Sequence, residues 1–279
     1  QDDETRVIIG YIEGLREGKR FFRLAREISK KKPIVVTKIG KTGAGSRAAM
    51  SHTSAMAGTD SIYDAVFKQA GVIRADTVEE LFDVASALLR QPLPKGNRVG
   101  ILTSGGGFGC VITDACASLG LEIAPLSPGT VERLNAVLPS RWPHANPVDT
   151  VAAGFVTYPC LWPLMEDDNI DALLVVDAIA FPVRMHGQAG SISPLLREKA
   201  VKLFETQEEE ELKGIDKLFE YMDKYQKPVI ISADLTEAIR SSRVFSKLKE
   251  NGVLMYPTPE RAARVLAHLV SYSNYLSHS

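Results

Sequence analysis

Cysteine is scarce in this 279-residue chain: Cys110, Cys116 and Cys160, an odd number. The step of six positions from Cys110 to Cys116 fits neither a C-x-x-C redox pair nor a zinc-ligand spacing. Free thiols in a reducing cytoplasm are the expectation. His144 and His186 stand in separate loops without a ligand-spaced partner, so no metal site is expected. No apolar run approaches the roughly 20 residues that span a bilayer, and the N-terminus lacks a signal-peptide layout. Charge of one sign is lacking too. A net charge of -1 argues against a nucleic-acid binder or a membrane-surface protein. There is no G-x-x-x-x-G-K-[ST] run for a P-loop, and Ser104 lies outside any G-x-S-x-G elbow, so an α/β-hydrolase triad has no nucleophile. The chain opens on Gln1 and not on Met, which leaves room for an upstream segment.

What is present is ample apolar content, 45%, and a regular alternation of elements. Strand-like runs are predicted near 6–12, 33–38, 72–74, 98–103, 121–125, 172–177, 228–232 and 253–256. Helical spacing fills 18–29, where Phe21, Phe22, Leu24, Ala25 and Ile28 recur on one face. Asp60 reads as the N-cap of a helix that Gly71 stops, and Thr77 with Glu80 as a capping box. The Pro- and Gly-bearing stretch 91–97 reads as a linker, giving domains 1–92 and 93–279 with a helical insertion at about 183–222. Within that insertion the run 208–211, all Glu, reads as a solvated face. Strands separated by helices predict α/β architecture with parallel sheets covered on both faces.

Two glycine-bearing stretches invite chemistry. From Pro33 to Thr59 no Asp or Glu occurs, while Lys38, Lys41, Arg47, several glycines and His52 do. Small residues and fixed cations suit an anion, and an imidazole there can bind or accept phosphate. An ordinary solvated loop explains the same composition. The second stretch follows a strand directly: Ser104, Gly105, Gly106, Gly107, Phe108, Gly109, then a helix. The first N–H groups of such a helix favour an anion. A dinucleotide fingerprint is excluded, because Cys110 stands where G-x-G-x-x-G needs its third glycine, and Glu122 sits at the wrong end of the next strand. A tight strand–helix turn without a ligand remains the alternative. The turn at Asn146, Pro147, Val148 and Asp149 is read as support for the loop beside those glycines.

With these motifs in hand, the chain resembles the NDP-forming acyl-CoA synthetases, which are the ADP-forming acetate–CoA ligases and their succinyl-CoA synthetase relatives. The resemblance covers essentially the whole chain and is strongest at 32–58, around Ser51, His52 and Thr53, and at 63–72. It implies two flavodoxin-like doubly wound parallel-sheet domains, the first N-terminally truncated. It also implies a phosphohistidine at His52 and a glutamate, Glu13, that holds the imidazole. Phosphate would be bound by Gly105, Gly106, Gly107, Phe108 and Gly109 at the head of a power helix facing the phosphorylated ring, with Ser51 and Thr53 beside His52. The implied reaction interconverts acyl-CoA, ADP and phosphate with carboxylic acid, CoA and ATP in the cytoplasm. No cofactor is expected to be tightly bound. The CoA-binding and ATP-grasp domains expected of the family are absent from this chain, and Mg would accompany the nucleotide on the latter. They are the implied partners, in a homo- or hetero-oligomer. A regulatory, non-catalytic module of a protein acyltransferase, or a docking scaffold for an ATP-grasp partner, is the competing reading.

Overall fold

The computed structural model describes residues 2–42, 45, 60–151, 156–188, 190 and 193–278. By compactness the chain forms two units, Gln1–Leu89 with Ser271–Ser279, and Arg90–Val270.

In the first unit the chain runs through β1 (Ile8–Ile12), α1 (Gly18–Ile28), β2 (Ile34–Lys38), α2 (Asp60–Ala70), β3 (Val72–Ala75) and α3 (Val78–Arg90). The three strands are parallel in the order β1-β2-β3, with Ile12 paired to Lys38 and Thr37 to Ala75. Strand alternation puts Ile34 and Val36 on one face, where they pack with Ala25 of α1 and Phe67 of α2. Asp60, expected as a cap, is instead the first helical residue, and its carboxylate takes the Arg74 guanidinium through two bonds of 2.8 Å. Thr77 does cap α3, accepting the Glu80 N–H at 3.1 Å. Within the first unit Tyr272 Oη donates to Ser29 O at 2.7 Å.

The second unit comprises β4 (Arg98–Thr103), α4 (Gly106–Ser118), β5 (Glu122–Ile123), α5 (Pro128–Asn135), β6 (Val148–Asp149), α6 (Thr157–Glu166), β7 (Ala172–Val176), α7 (Phe181–Gly187), α8 (Pro194–Tyr225), β8 (Val229–Ser232), α9 (Glu237–Arg240), α10 (Arg243–Glu250), β9 (Met255–Tyr256) and, as far as Val270, α11 (Pro259–Ser277). Its sheet is parallel in the order β5-β4-β7-β8-β9, with β6 pairing β4. β4, β7 and β8 are buried almost throughout, as expected of central strands sandwiched between helices. The chain leaves β4 toward β5 and later returns on its other side as β7. That reversal puts a crevice outside the carboxyl ends of β4 and β7, where open α/β sheets hold ligands.

The glutamate run is not a uniformly solvated face. Glu209 and Glu210 are exposed and pair with Arg243 and Lys213. Glu211 is buried, because helical spacing puts it in line with Ile215, Leu218 and Met222. Among the described residues no helix is long and apolar enough to cross a membrane.

Candidate functional site

β4 ends at Thr103 and runs straight into the glycine turn. Thr103 Oγ1 both accepts from Gly105 N, at 3.3 Å, and donates to Gly105 O, at 3.1 Å, so the turn is tied to the strand it leaves. Ser104 N–H donates to Val176 O of β7. Gly105 is the N-cap of α4, in extended conformation and with no side chain to cap the helix. The Gly109 N–H already donates to Gly105 O, whereas helical geometry leaves those of Gly106, Gly107 and Phe108 without an intrahelical acceptor. The exposed Gly106, Gly107 and Phe108 thus present the positive end of a 13-residue helix at the switch point of the sheet.

Asn146 does more than order a loop. Its Oδ1 accepts the Ile101 N–H at 2.9 Å, and its Nδ2 donates to Val99 O at 2.7 Å and to Ala124 O at 2.8 Å. β5 pairs with the start of β4 and β6 with its end, leaving a gap along that edge. The Asn146 amide fills the gap, taking the place of a strand's own N–H and C=O groups. Asp149, paired in register with Thr103, accepts the Val151 N–H through Oδ1 at 2.7 Å. That bond holds Val151 at a φ of 53°, a left-handed conformation unfavourable for a β-branched residue. Asp149 Oδ2 lies 3.4 Å from where a side chain on Gly106 would begin, so a carboxylate stands beside the helix end.

Sequence reasoning missed the opposite side of the crevice. Asp177 follows β7 and forms a buried ion pair with Arg184 of α7, whose guanidinium also reaches Ser104 Oγ at 3.5 Å. Burial pulls the Arg184 guanidinium below its ordinary value, with Asp234 acting the other way. Glu211 Oε1 accepts the N–H of Ala180, at 2.7 Å, and so holds the loop in which Ala180 has a φ of 63°. Burial pushes the Glu211 carboxyl up to about 8. No spacing rule links residues 104, 177, 184 and 211; the ends of β4 and β7 bring Ser104 and Asp177 together, and α7 and α8 bring in Arg184 and Glu211.

In the first unit, Glu13 directly follows β1, and its Oε2 is buried with no hydrogen-bond partner among the described residues. Among the described residues of the neighbouring acid-free stretch, the cations Lys38 and Lys41 are already engaged. Lys38 is buried, bonds to Ile39 O and lies 4.7 Å from the centroid of the Tyr63 ring. Burial lowers its pKa. Lys41 pairs with Asp76 at 2.5 Å. The stretch is acid-free along the chain, yet Asp76 reaches it across the fold. His52, Ser51, Thr53 and Arg47 lie outside the described residues.

Comparison with known proteins adds independent support. Residues 1–88 match the succinyl-CoA ligase like flavodoxin domain. The chain is 37% identical over 277 residues to the alpha subunit of ADP-forming acetate–CoA ligase I of Pyrococcus furiosus, covering 98% of this chain and 54% of that protein. It is 31% identical to the ADP-forming 4-hydroxybutyrate–CoA ligase of Nitrosopumilus maritimus, covering 99% of this chain and 36% of that one. The chain thus spans about half or less of the relatives it matches. Among solved structures, the dinucleotide forming acetyl-coenzyme A synthetase 1 of Ca. Korarchaeum cryptofilum, in complex with phosphate and ADP, superposes with a TM-score of 0.79 at 29% identity. That match covers 100% of this chain and 56% of the other. With its two parallel sheets and flavodoxin-like domain, the chain belongs to the NDP-forming acyl-CoA synthetase family, as a part resembling the alpha subunit of the ADP-forming ligases.

Proposed function

We propose that this chain is the phosphohistidine-bearing part of an acyl-CoA synthetase that interconverts acyl-CoA, phosphate and ADP with carboxylic acid, CoA and ATP in the cytoplasm. Residues 1–92 serve as the phosphohistidine domain and 93–279 as the ligase-type domain. Phosphate displaces CoA from acyl-CoA to give an acyl phosphate. A ring nitrogen of His52 then takes the phosphoryl group, releasing the carboxylic acid, and passes it to ADP. Glu13 fixes the imidazole tautomer and stabilises the positive charge that develops on the ring. The N–H groups of Gly106, Gly107 and Phe108 steady phosphoryl oxygens without reacting, while Gly105 and Gly109 shape the turn. Ser51 and Thr53 assist beside His52, and Asn146 and Asp149 support the second turn. CoA and nucleotide are handled by a CoA-binding domain and by an ATP-grasp domain or subunit, the latter carrying Mg with its nucleotide.

The observation that carries this reading is the uncapped end of α4 at the switch point of the sheet. Glu13 Oε2, which has no hydrogen-bond partner among the described residues, fits a carboxylate that awaits an N–H donor. The relatives named for ligase activity, and the solved structure holding phosphate and ADP, support the same chemistry.

The test is to incubate the full gene product with labelled phosphate and acyl-CoA and look for an acid-labile, base-stable phosphoprotein. Label on His52 is expected. It should vanish in His52→Ala, and Glu13→Gln should form it about 10²-fold more slowly. An unlabelled protein would favour a sensor or a scaffold.

A further inference from the structure

β1 and β2 leave the first sheet side by side, since Ile12 is paired with Lys38 and the Ile39 N–H donates to Ile12 O at 3.1 Å. Glu13 follows one strand directly, and the residues that lead to His52 follow the other. Tyr63 of α2 touches both exits. Its hydroxyl accepts the Leu15 N–H at 3.3 Å, just beyond Glu13 and Gly14. Its ring faces the Lys38 ammonium, which lies 4.7 Å from the centroid. We propose that Tyr63 is a positioning residue for phosphoryl transfer, holding the turn that bears Glu13 and the base of the segment that bears His52 in one register. This rests on the phosphohistidine reading above and adds to it the group that sets Glu13 against the ring it serves.

Three observations carry the assignment. First, Tyr63 is itself held in place. It is buried, its ring centroid lies 5.9 Å from that of Phe67, and Phe67 meets Phe21 of α1 edge-on at the same separation. Contacts of this kind set a ring's orientation, and with it the direction of the phenol oxygen. Second, Lys38 cannot shift alone. It is 1% exposed, and a charge buried that deeply is costly unless its donors are occupied. Ile39 O and the Tyr63 ring occupy them at the strand end, and the nearby Asp60 carboxylate opposes the cost of burial. Third, the helix that carries Tyr63 is pinned where it begins. Arg74 of β3 binds Asp60 through two bonds of 2.8 Å and Asp64 through one of 2.7 Å. Pairing of a guanidinium fork with a carboxylate fixes orientation as well as distance. The chain between β2 and α2, which carries His52, therefore starts at Lys38 and ends at Asp60 on anchored residues. Tyr63 joins that base to the Glu13 turn.

The two arms can be cut separately. Tyr63→Phe keeps the ring on Lys38 and removes only the link to Leu15. In the full gene product, given labelled phosphate and acyl-CoA, it should slow labelling of His52 about fivefold, the loss expected for one hydrogen bond. The loss should fall on the maximal rate and leave KM for phosphate unchanged, because Tyr63 places a reacting group and binds no substrate. In a Glu13→Ala background the same substitution should cost less than about twofold, since no carboxylate remains to be placed. Lys38→Met cuts the other arm. It should slow labelling about threefold in both backgrounds, the worth of one cation–π contact, because it acts on the His52 side. A fivefold loss from Tyr63→Phe in both backgrounds would mark a general structural effect and overturn the proposal. Labelling at the wild-type rate in Tyr63→Phe would overturn it too, and would leave the phosphohistidine reading standing. Wild-type protein that takes no label at all sinks that reading, and this proposal with it.

Discussion

The two units handle a glycine-bearing strand end in opposite ways. In the first, the stretch after β2 looks electropositive in composition, yet Lys38 is spent on Ile39 O and the Tyr63 ring, and Lys41 on Asp76. In the second, the stretch after β4 carries no cation from Ser104 to Gly109, yet it ends in exposed N–H groups that no side chain caps. Among the described residues, formal charge along the chain is therefore a poor guide to which groups the fold leaves free. Unpaired capacity tells more, and six buried side-chain oxygens have no partner among the described residues, Glu13 Oε2 and Thr113 Oγ1 among them.

The comparison can be pressed by substitution. The largest effect is expected in the second unit, where Asn146→Ala would strand Ile101 N and Ala124 O, while Val99 O keeps the Ala124 N–H. It should cost about 4 kcal/mol in urea unfolding, since each buried group left unpaired costs about 1–3. A loss below about 1 kcal/mol would mean that the gap between β5 and β6 closes in another way.

Next comes Glu211. Its carboxyl is raised from an ordinary 4.5 to about 8, chiefly by burial, so the folded state keeps a proton that the unfolded state releases. Stability should therefore be greatest below about pH 4.5 as far as this group goes. It should fall by about 1 kcal/mol per unit as pH rises toward 8. Glu211→Gln keeps an acceptor for Ala180 N and should flatten that slope in urea midpoints measured from pH 5 to 8.

Glycines then set the units against each other. Gly71 and Gly120 have nearly equal φ angles, 69° and 75°, but a side chain on Gly71 would strike the Tyr275 ring while Gly120 has open space. Gly120→Ala should cost about 1 kcal/mol for its backbone alone, and Gly71→Ala about 2–3, by thermal unfolding. Equal losses would show that the ring moves aside freely. The smallest change is Asp76→Asn. It should alter stability by no more than about 0.5 kcal/mol, because its partner Lys41 and the carboxylate are both partly exposed.

Much of the architecture was legible along the chain. The buried runs at β4, β7 and β8, the capped start of α3 and the strand–glycine–helix passage at residues 98–118 each follow from local rules of period and capping. The site was legible in part. Glycines 105 to 107 announce a helix end through backbone chemistry, which depends only on neighbours. Asn146 was visible as a turn residue, but its role as a substitute for strand backbone depends on where β5 and β6 stop. Glu211 was read with its charged neighbours because the run hides its phase. Seen against Ile215, Leu218 and Met222, it falls on the buried stripe.

Sequence alone determined the alternation of strands and helices and the open helix end at Gly105–Phe108, since hydrophobic period and missing side chains act over a few residues. Only tertiary structure decided which polar groups keep capacity to spare. Asp76 on Lys41, Asn146 across β4, and Glu211 under Ala180 are partners separated by 31 residues or more in the chain, brought within hydrogen-bonding reach by parallel strands and packed helices.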